Sequence, residues 1–189
     1  MRNFYFLSLL FLALMVPTLA QTPLAQTPKV MPLQLPAGST AGEVQGNIAV
    51  GIQIPMRWAE RSSVALVPGT RFEQFNGNQV FYRIEMPAAS TIKVRMVPEN
   101  GKKINLYALR QSVQGQQQVP PNVTSAISSE ASYPIYANTG RRRIQNKDKG
   151  YREVEFDSVN RPYSILIGVS GAEGELEGNF LLNIQITPR

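Results

Sequence analysis

Six cations crowd one short run, GRRRIQNKDKGYR: Arg141, Arg142, Arg143, Lys147, Lys149 and Arg152, set against the lone acid Asp148. Guanidinium and ammonium groups at that density attract anionic polysaccharide, lipid headgroups or nucleic acid. These six are the candidate anion-binding residues, and a solvated basic loop is the plain alternative. Nucleic acid is not the expected partner, because no aromatic side chains alternate with the charges to form a stacking platform.

The rest of the composition narrows the chemistry. The chain has no histidine and no cysteine, which removes Ser-His-Asp and Cys-His nucleophiles, His-ligated zinc and the commonest general base. Asp148 and Asp157 are its only aspartates. In YREVEFD, Glu153 and Glu155 share one face of a strand, with Val154 and Phe156 on the other. A glycosidase needs two carboxylates that converge across a cleft, and this spacing suits the solvent face of an outer strand equally well. Glu173, Glu175 and Glu177 in GAEGELEG weigh calcium ligation against the solvated tip of a hairpin. Calcium takes six to eight oxygens on a turn that folds back on itself, so the hairpin tip is expected. The same stretch lacks the lysine and helix of a phosphate-binding loop. Trp58 reads as a core or rim residue before a sugar platform. Asn122-Val123-Thr124 fits the glycosylation sequon. No cofactor and no metal ion is expected, and no catalytic residue emerges.

The elements that must position these residues begin after a leader. Residues 1–20 place Arg2 before an apolar core, Phe4 to Val16, and a small-residue exit at Ala20, the pattern of a cleaved secretory signal peptide. The apolar run is shorter than the roughly 20 residues of a spanning helix, so no transmembrane segment is expected after cleavage. A secreted, periplasmic or cell-surface location follows. An exported chain without disulfides must be held by its core. Net charge is +6, and cleavage would remove one arginine from it.

Residues 21–42, rich in Pro, Gln and Thr, read as a disordered tether. The ordered domain is expected over 43–189. Period-two alternation dominates it: VFYRIEM, TIKVRMV, INLYAL and YREVEF, separated by NGN, PAAS and PENGKK. NIAVGIQIPM (47–56) and SSVALVPG (62–69) read as further strands. A long polar loop is expected at about 111–150, with one strand near Tyr133 to Ala137. No long apolar stripe at helical spacing occurs. The pattern predicts an all-β fold, an antiparallel β-sandwich or jelly roll of about eight strands with little helix. Alternation with one buried face argues against a parallel sheet.

Two stretches, FNGNQVFYRIEMPAASTIKVRMVPENGKKINLYALR (75–110) and NRPYSILIGVSGAEGELEGNFLLNIQI (160–186), resemble the bacterial pre-peptidase C-terminal (PPC) domain, a small β-sandwich of exported proteins. The first carries the order strand, Pro/Ala turn, strand, turn, Leu-Tyr strand. The second carries a Pro-Tyr opening, an apolar strand, a Gly-rich turn and Gly-Asn-Phe-Leu-Leu-Asn-Ile, where the family shows Gly-x-Tyr-x-Leu-x-Val. The resemblance implies an accessory or binding module and no catalytic residue. The leading expectation is therefore an exported, non-catalytic module contacting another exported protein or an anionic envelope polymer. The alternatives are a self-assembling surface subunit and a carboxylate-dependent hydrolase.

Overall fold

The computed structural model describes residues 27–61, 71–134 and 148–189. The expected signal peptide, the expected strand at 62–69, and Arg141, Arg142, Arg143 and Lys147 lie outside the described residues. Two sheets stack face to face. The first, sheet A, comprises β1 (Val30–Pro32), β4 (Asn78–Met86), β9 (Tyr163–Gly171), β6 (Ile104–Ser112) and β7 (Ser128–Ser132) in that order, with β3 (Ile52–Gln53) on the start of β4. Sheet B runs β2 (Ala41–Asn47), β10 (Asn179–Pro188), β5 (Ser90–Pro98) and β8 (Arg152–Ser158). The fold is an all-β sandwich.

Alternation builds the space between the sheets. Val80, Ile84 and Met86 of β4, with Ile165, Ile167 and Val169 of β9, face Val94 and Met96 of β5 and Phe180 and Leu182 of β10, all buried. Each such side chain contributes roughly 1.5–3 kcal/mol on leaving water. Sheet B leaves its outer face to solvent. There Arg95 lies between Asn183 and Glu153 in register, and Lys93 between Gln185 and Glu155.

Sheet A is buried on both faces. A second apolar cluster covers its outer side, where Phe81, Tyr107, Leu109 and Leu166 meet Trp58 of the short helix α1 (Arg57–Arg61), Phe75 of a 3-10 turn (Phe72–Phe75), and Val123. Tyr107 Oη donates to Gln79 Oε1 at 2.8 Å, while Gln79 Nε2 donates to the carbonyls of Ile54 and Phe75 at 2.9 and 3.0 Å. One buried amide thus ties the covering segments to the sheet. Opposite Tyr107 in register stands Gly168, where a Cβ would lie 2.4 Å from the tyrosine ring. Glycine there makes room for the ring.

Several expectations are corrected. Ten strands form among the described residues, in keeping with the expected all-β sandwich, but the β1–β4 pair is parallel. Val30–Pro32, read as tether, is that parallel strand: the Leu33 amide donates to the Arg83 carbonyl at 2.7 Å, and Met31, Leu33 and Leu35 pack on the core. The ordered fold therefore starts upstream of residue 43. In NIAVGIQIPM, Ile48–Val50 is a 3-10 turn because Asn47 Oδ1 accepts from the Ala49 amide at 2.7 Å, leaving only Ile52–Gln53 as strand. The strand inside the long loop is Ser128–Ser132, upstream of Tyr133 to Ala137, because Ser128 to Ser132 pairs with Arg110 to Leu106. Residues 135–137 are outside the described residues.

Candidate functional site

Pro134 and Asp148, which flank residues 135–147 in the sequence, both lie where the edges of the two sheets meet. β7 ends sheet A and β8 ends sheet B, and the Glu153 amide donates to Ser132 Oγ at 3.0 Å between them. A cleft of about 290 Å³ opens there, lined by Ser132, Tyr133, Pro134, Asp148, Lys149, Tyr151, Arg152 and Glu153.

Of the six predicted cations, two fall among the described residues, and they behave differently. Lys149 is exposed, and among the described residues it forms no ion pair. Arg152 is in phase with Val154 and Phe156 on β8, so its side chain points inward and is 3% exposed. Its Nη1 and Nη2 donate to the two carboxylate oxygens of Asp148 at 2.7 and 3.0 Å, and its Nε donates to Asn105 Oδ1 at 3.0 Å. Asn105 in turn donates to the Gln74 carbonyl at 2.9 Å. A two-point guanidinium–carboxylate pair of this kind satisfies both charges in fixed geometry. Arg152 is thus an inward-facing anchor whose charge Asp148 meets, not an outward cation of the patch. The signal was in the alternation of REVEF, which puts Arg152 with the apolar residues.

Aromatic rings flank the cleft. The Arg95 guanidinium sits 4.5 Å over the Tyr151 ring. Tyr133 meets Phe75 edge-on at 5.6 Å, with Arg71 6.0 Å from its centre. The cleft therefore offers one ammonium unpaired among the described residues, two phenols and the Ser132 hydroxyl beside two part-exposed carboxylates, Asp148 and Glu153, that arginines already pair, which suits stacking and hydrogen bonding to a polar ligand. Glu153 and Glu155 do not converge across it. Glu153 pairs with Arg95 at 2.7 Å and Glu155 with Lys93 at 3.1 Å on the outer face of sheet B. The hydrogen bond to Glu155, then its charge, holds the Lys93 ammonium above its ordinary pKa.

The acidic turn between β9 and β10 is more than a solvated tip. Glu173 pairs with Lys103, while Lys102 reaches Glu175 at 3.1 Å and Glu177 at 3.4 Å. Lys102 titrates above its ordinary value, chiefly through the hydrogen bond to Glu175. The turn also docks by its backbone, with the Glu173 amide donating to the Glu73 carbonyl at 2.7 Å and the Gly174 amide to Asn76 Oδ1 at 2.6 Å. The glutamates diverge onto lysines of the β5–β6 turn, and this pairing required the fold to be seen. Trp58 is buried, as a core residue. Asn122 of the sequon is exposed.

No protein-family model and no curated protein matches the chain. Among solved structures, the chain is similar to PliG of Aeromonas hydrophila, a periplasmic inhibitor of g-type lysozyme, at 13% identity and TM-score 0.43, over 84% of this chain and 96% of that one. It is similar to the pre-peptidase C-terminal domain of a Bacillus anthracis collagenase at 9% identity and TM-score 0.37, over 86% and 98%. CorA, a surface-associated copper-binding protein of Methylomicrobium album BG8, aligns at 8% identity and TM-score 0.41, over 85% and 98%. A PPC domain, the family that residues 75–110 and 160–186 resemble, is among these similar structures, at low identity. No helix among the described residues is long and apolar enough to cross a membrane.

Proposed function

We propose that this protein is an exported, non-catalytic binding module that holds an anionic envelope polymer, or an exported protein bearing one, at the β7–β8 end of the sandwich. The observation that carries the reading is the cleft itself. Arg152 and Asp148 fix its floor, and Lys149 and the rings of Tyr133 and Tyr151 remain at its rim. In the sequence, Arg141, Arg142, Arg143 and Lys147 fall between Pro134 and Asp148, two residues that line the cleft. A fixed frame with Lys149 exposed on it, and four more cations close by in the sequence, supports electrostatic capture, whose strength falls with salt. A compartment outside the cytoplasm is supported by the leader-like residues 1–20.

The test is binding of heparin-like or native envelope polymers at low salt. Replacing Arg141, Arg142 and Arg143 together with Ser is expected to weaken binding by tenfold or more, and Lys149→Ser by a smaller factor. Unchanged binding in the triple variant overturns the reading.

A further inference from the structure

A second cationic cluster lies at the other end of the same edge. From Leu106, which faces Ser132 at the cleft, to Arg110, which faces Ser128, is about 13 Å along β6 at 3.3 Å per residue. There Arg110 of β6, Arg161 of the turn after β8, and Tyr163 at the start of β9 come together. Arg110 Cζ lies 4.8 Å from the centre of the Tyr163 ring and Arg161 Cζ 5.5 Å from it. Arg161 Nε also donates to Tyr163 Oη at 3.1 Å.

Neither guanidinium forms an ion pair among the described residues, the carboxylate on Arg110's own face being Glu130 of β7, in register with Ala108 two positions along. Arg110 Nη1 donates to a backbone carbonyl, that of Asp157, at 2.8 Å, and among the described residues no carboxylate pairs with Arg110 or Arg161. The nearby Asp157 carboxylate is already engaged by Thr91 Oγ1 at 2.5 Å and by Arg189 at 3.5 Å. Glu85, beside the register partner of Tyr163, alternates to the opposite face of sheet A. At the base of the cluster Arg110 Nε and Ser128 Oγ, on register neighbours, are buried without hydrogen-bond partners. Two like charges share one ring, and the ring's negative face offsets only part of their repulsion.

The turn that carries Arg161 is held, since Ser158 Oγ donates to the Arg161 carbonyl at 2.6 Å and the Ala89 amide to the Val159 carbonyl at 3.1 Å. On that same turn Val159 is 67% exposed, the second most exposed of the large apolar side chains described. The cluster therefore combines two forked cations and a phenol, with one bare apolar side chain two residues before Arg161 on the same turn. A linear polyanion needs a run of cations, whereas this arrangement fits one planar carboxylate with an apolar neighbour.

We infer that Arg110, Arg161 and Tyr163, with Val159 beside them, form a docking site for a single carboxylate of an acidic peptide segment in a partner protein. The site uses no residue of the 141–152 run and stands whether or not that run binds polymer.

The test uses the whole chain and an N-acetylated, C-amidated peptide, Ala-Leu-Glu-Leu-Ala, with its Gln counterpart, followed by NMR of arginine side-chain Nε–H signals and backbone amides. Expected is at least tenfold tighter binding of the Glu peptide, with shifts centred on Val159 to Tyr163. Arg161→Gln, on an exposed residue, is expected to abolish the preference, and Val159→Ser to weaken both peptides. Tyr163 now ionises below its ordinary range because of Arg161 first and Arg110 also. The Glu peptide should raise it, read as the 295 nm difference against Tyr163→Phe. Equal binding of the two peptides, a preference that survives in Arg161→Gln, or a sulfated hexasaccharide outcompeting the peptide at Arg161 would each overturn the inference. Retained Glu preference in the Arg141/Arg142/Arg143→Ser variant supports it and separates it from the polymer reading.

Discussion

Tyr107 is fully buried, donates to Gln79, and is held above its ordinary pKa of 10.0 by desolvation. In the unfolded chain the same phenol releases its proton near 10, so above that pH the unfolded state binds fewer protons than the folded one. The stability this group contributes is complete below about pH 10 and drains as pH rises toward its folded value. Tyr107→Phe is expected to cost about 1 kcal/mol at neutral pH, from the lost hydrogen bond. It should also flatten the alkaline fall in stability by up to about 1.4 kcal/mol per pH unit. Urea unfolding at pH 7 and at rising alkaline pH checks both. Asp148 makes a different residue-scale prediction. Its removal leaves the Arg152 guanidinium inside with only Asn105 and a backbone carbonyl. Asp148 is 40% exposed, so water reaches part of the pair, and Asp148→Asn is expected to cost about 2 kcal/mol rather than the full penalty of a stranded buried charge.

Elements were legible where one face met the core and the other met water. TIKVRMV and YREVEF became β5 and β8 with the expected faces, because sheet B has a solvated outer side. INLYAL was legible as a strand, but its outward Tyr107 and Leu109 are buried as well, since helix and loop segments from elsewhere in the chain cover sheet A. Residues 47–56 depart from the expected strand because Asn47 caps a local turn with a side chain also bonded to Asn179 and Gly178, and because Gly51 approaches the Gln79 carbonyl of β4, 2.1 Å from where a Cβ would sit. In the candidate site, the inward phase of Arg152 is present in the alternation and its partner Asp148 stands only four residues before it, while the pairing of the acidic turn with Lys102 and Lys103 is tertiary. The tight match of Gly168 to Tyr107 is testable at this scale. Gly168→Ala is expected to destabilise by about 1–3 kcal/mol through overpacking, and Gly168→Ala with Tyr107→Leu to recover part of that loss, both read by thermal unfolding.

At the scale of the molecule, β1 covers the edge of β4 with a segment whose composition resembles a linker. Deleting residues 27–35 is expected to lower stability by roughly 2–4 kcal/mol from lost burial of Met31, Leu33 and Leu35. It would also bare an edge of sheet A able to pair with another chain. Sedimentation should show concentration-dependent growth in the deletion variant beyond that of the parent. The order of sheet B carries a kinetic consequence. Its central pairings are made by β10, the last strand, with β2 on one side and β5 on the other. A chain emerging from its N-terminus can form local hairpins, but β2 waits for a partner some 130 residues away, a loop closure that slows folding. Completion of the sandwich thus waits for Asn179–Pro188, and until that segment pairs, β2 and β5 lack the strand they share.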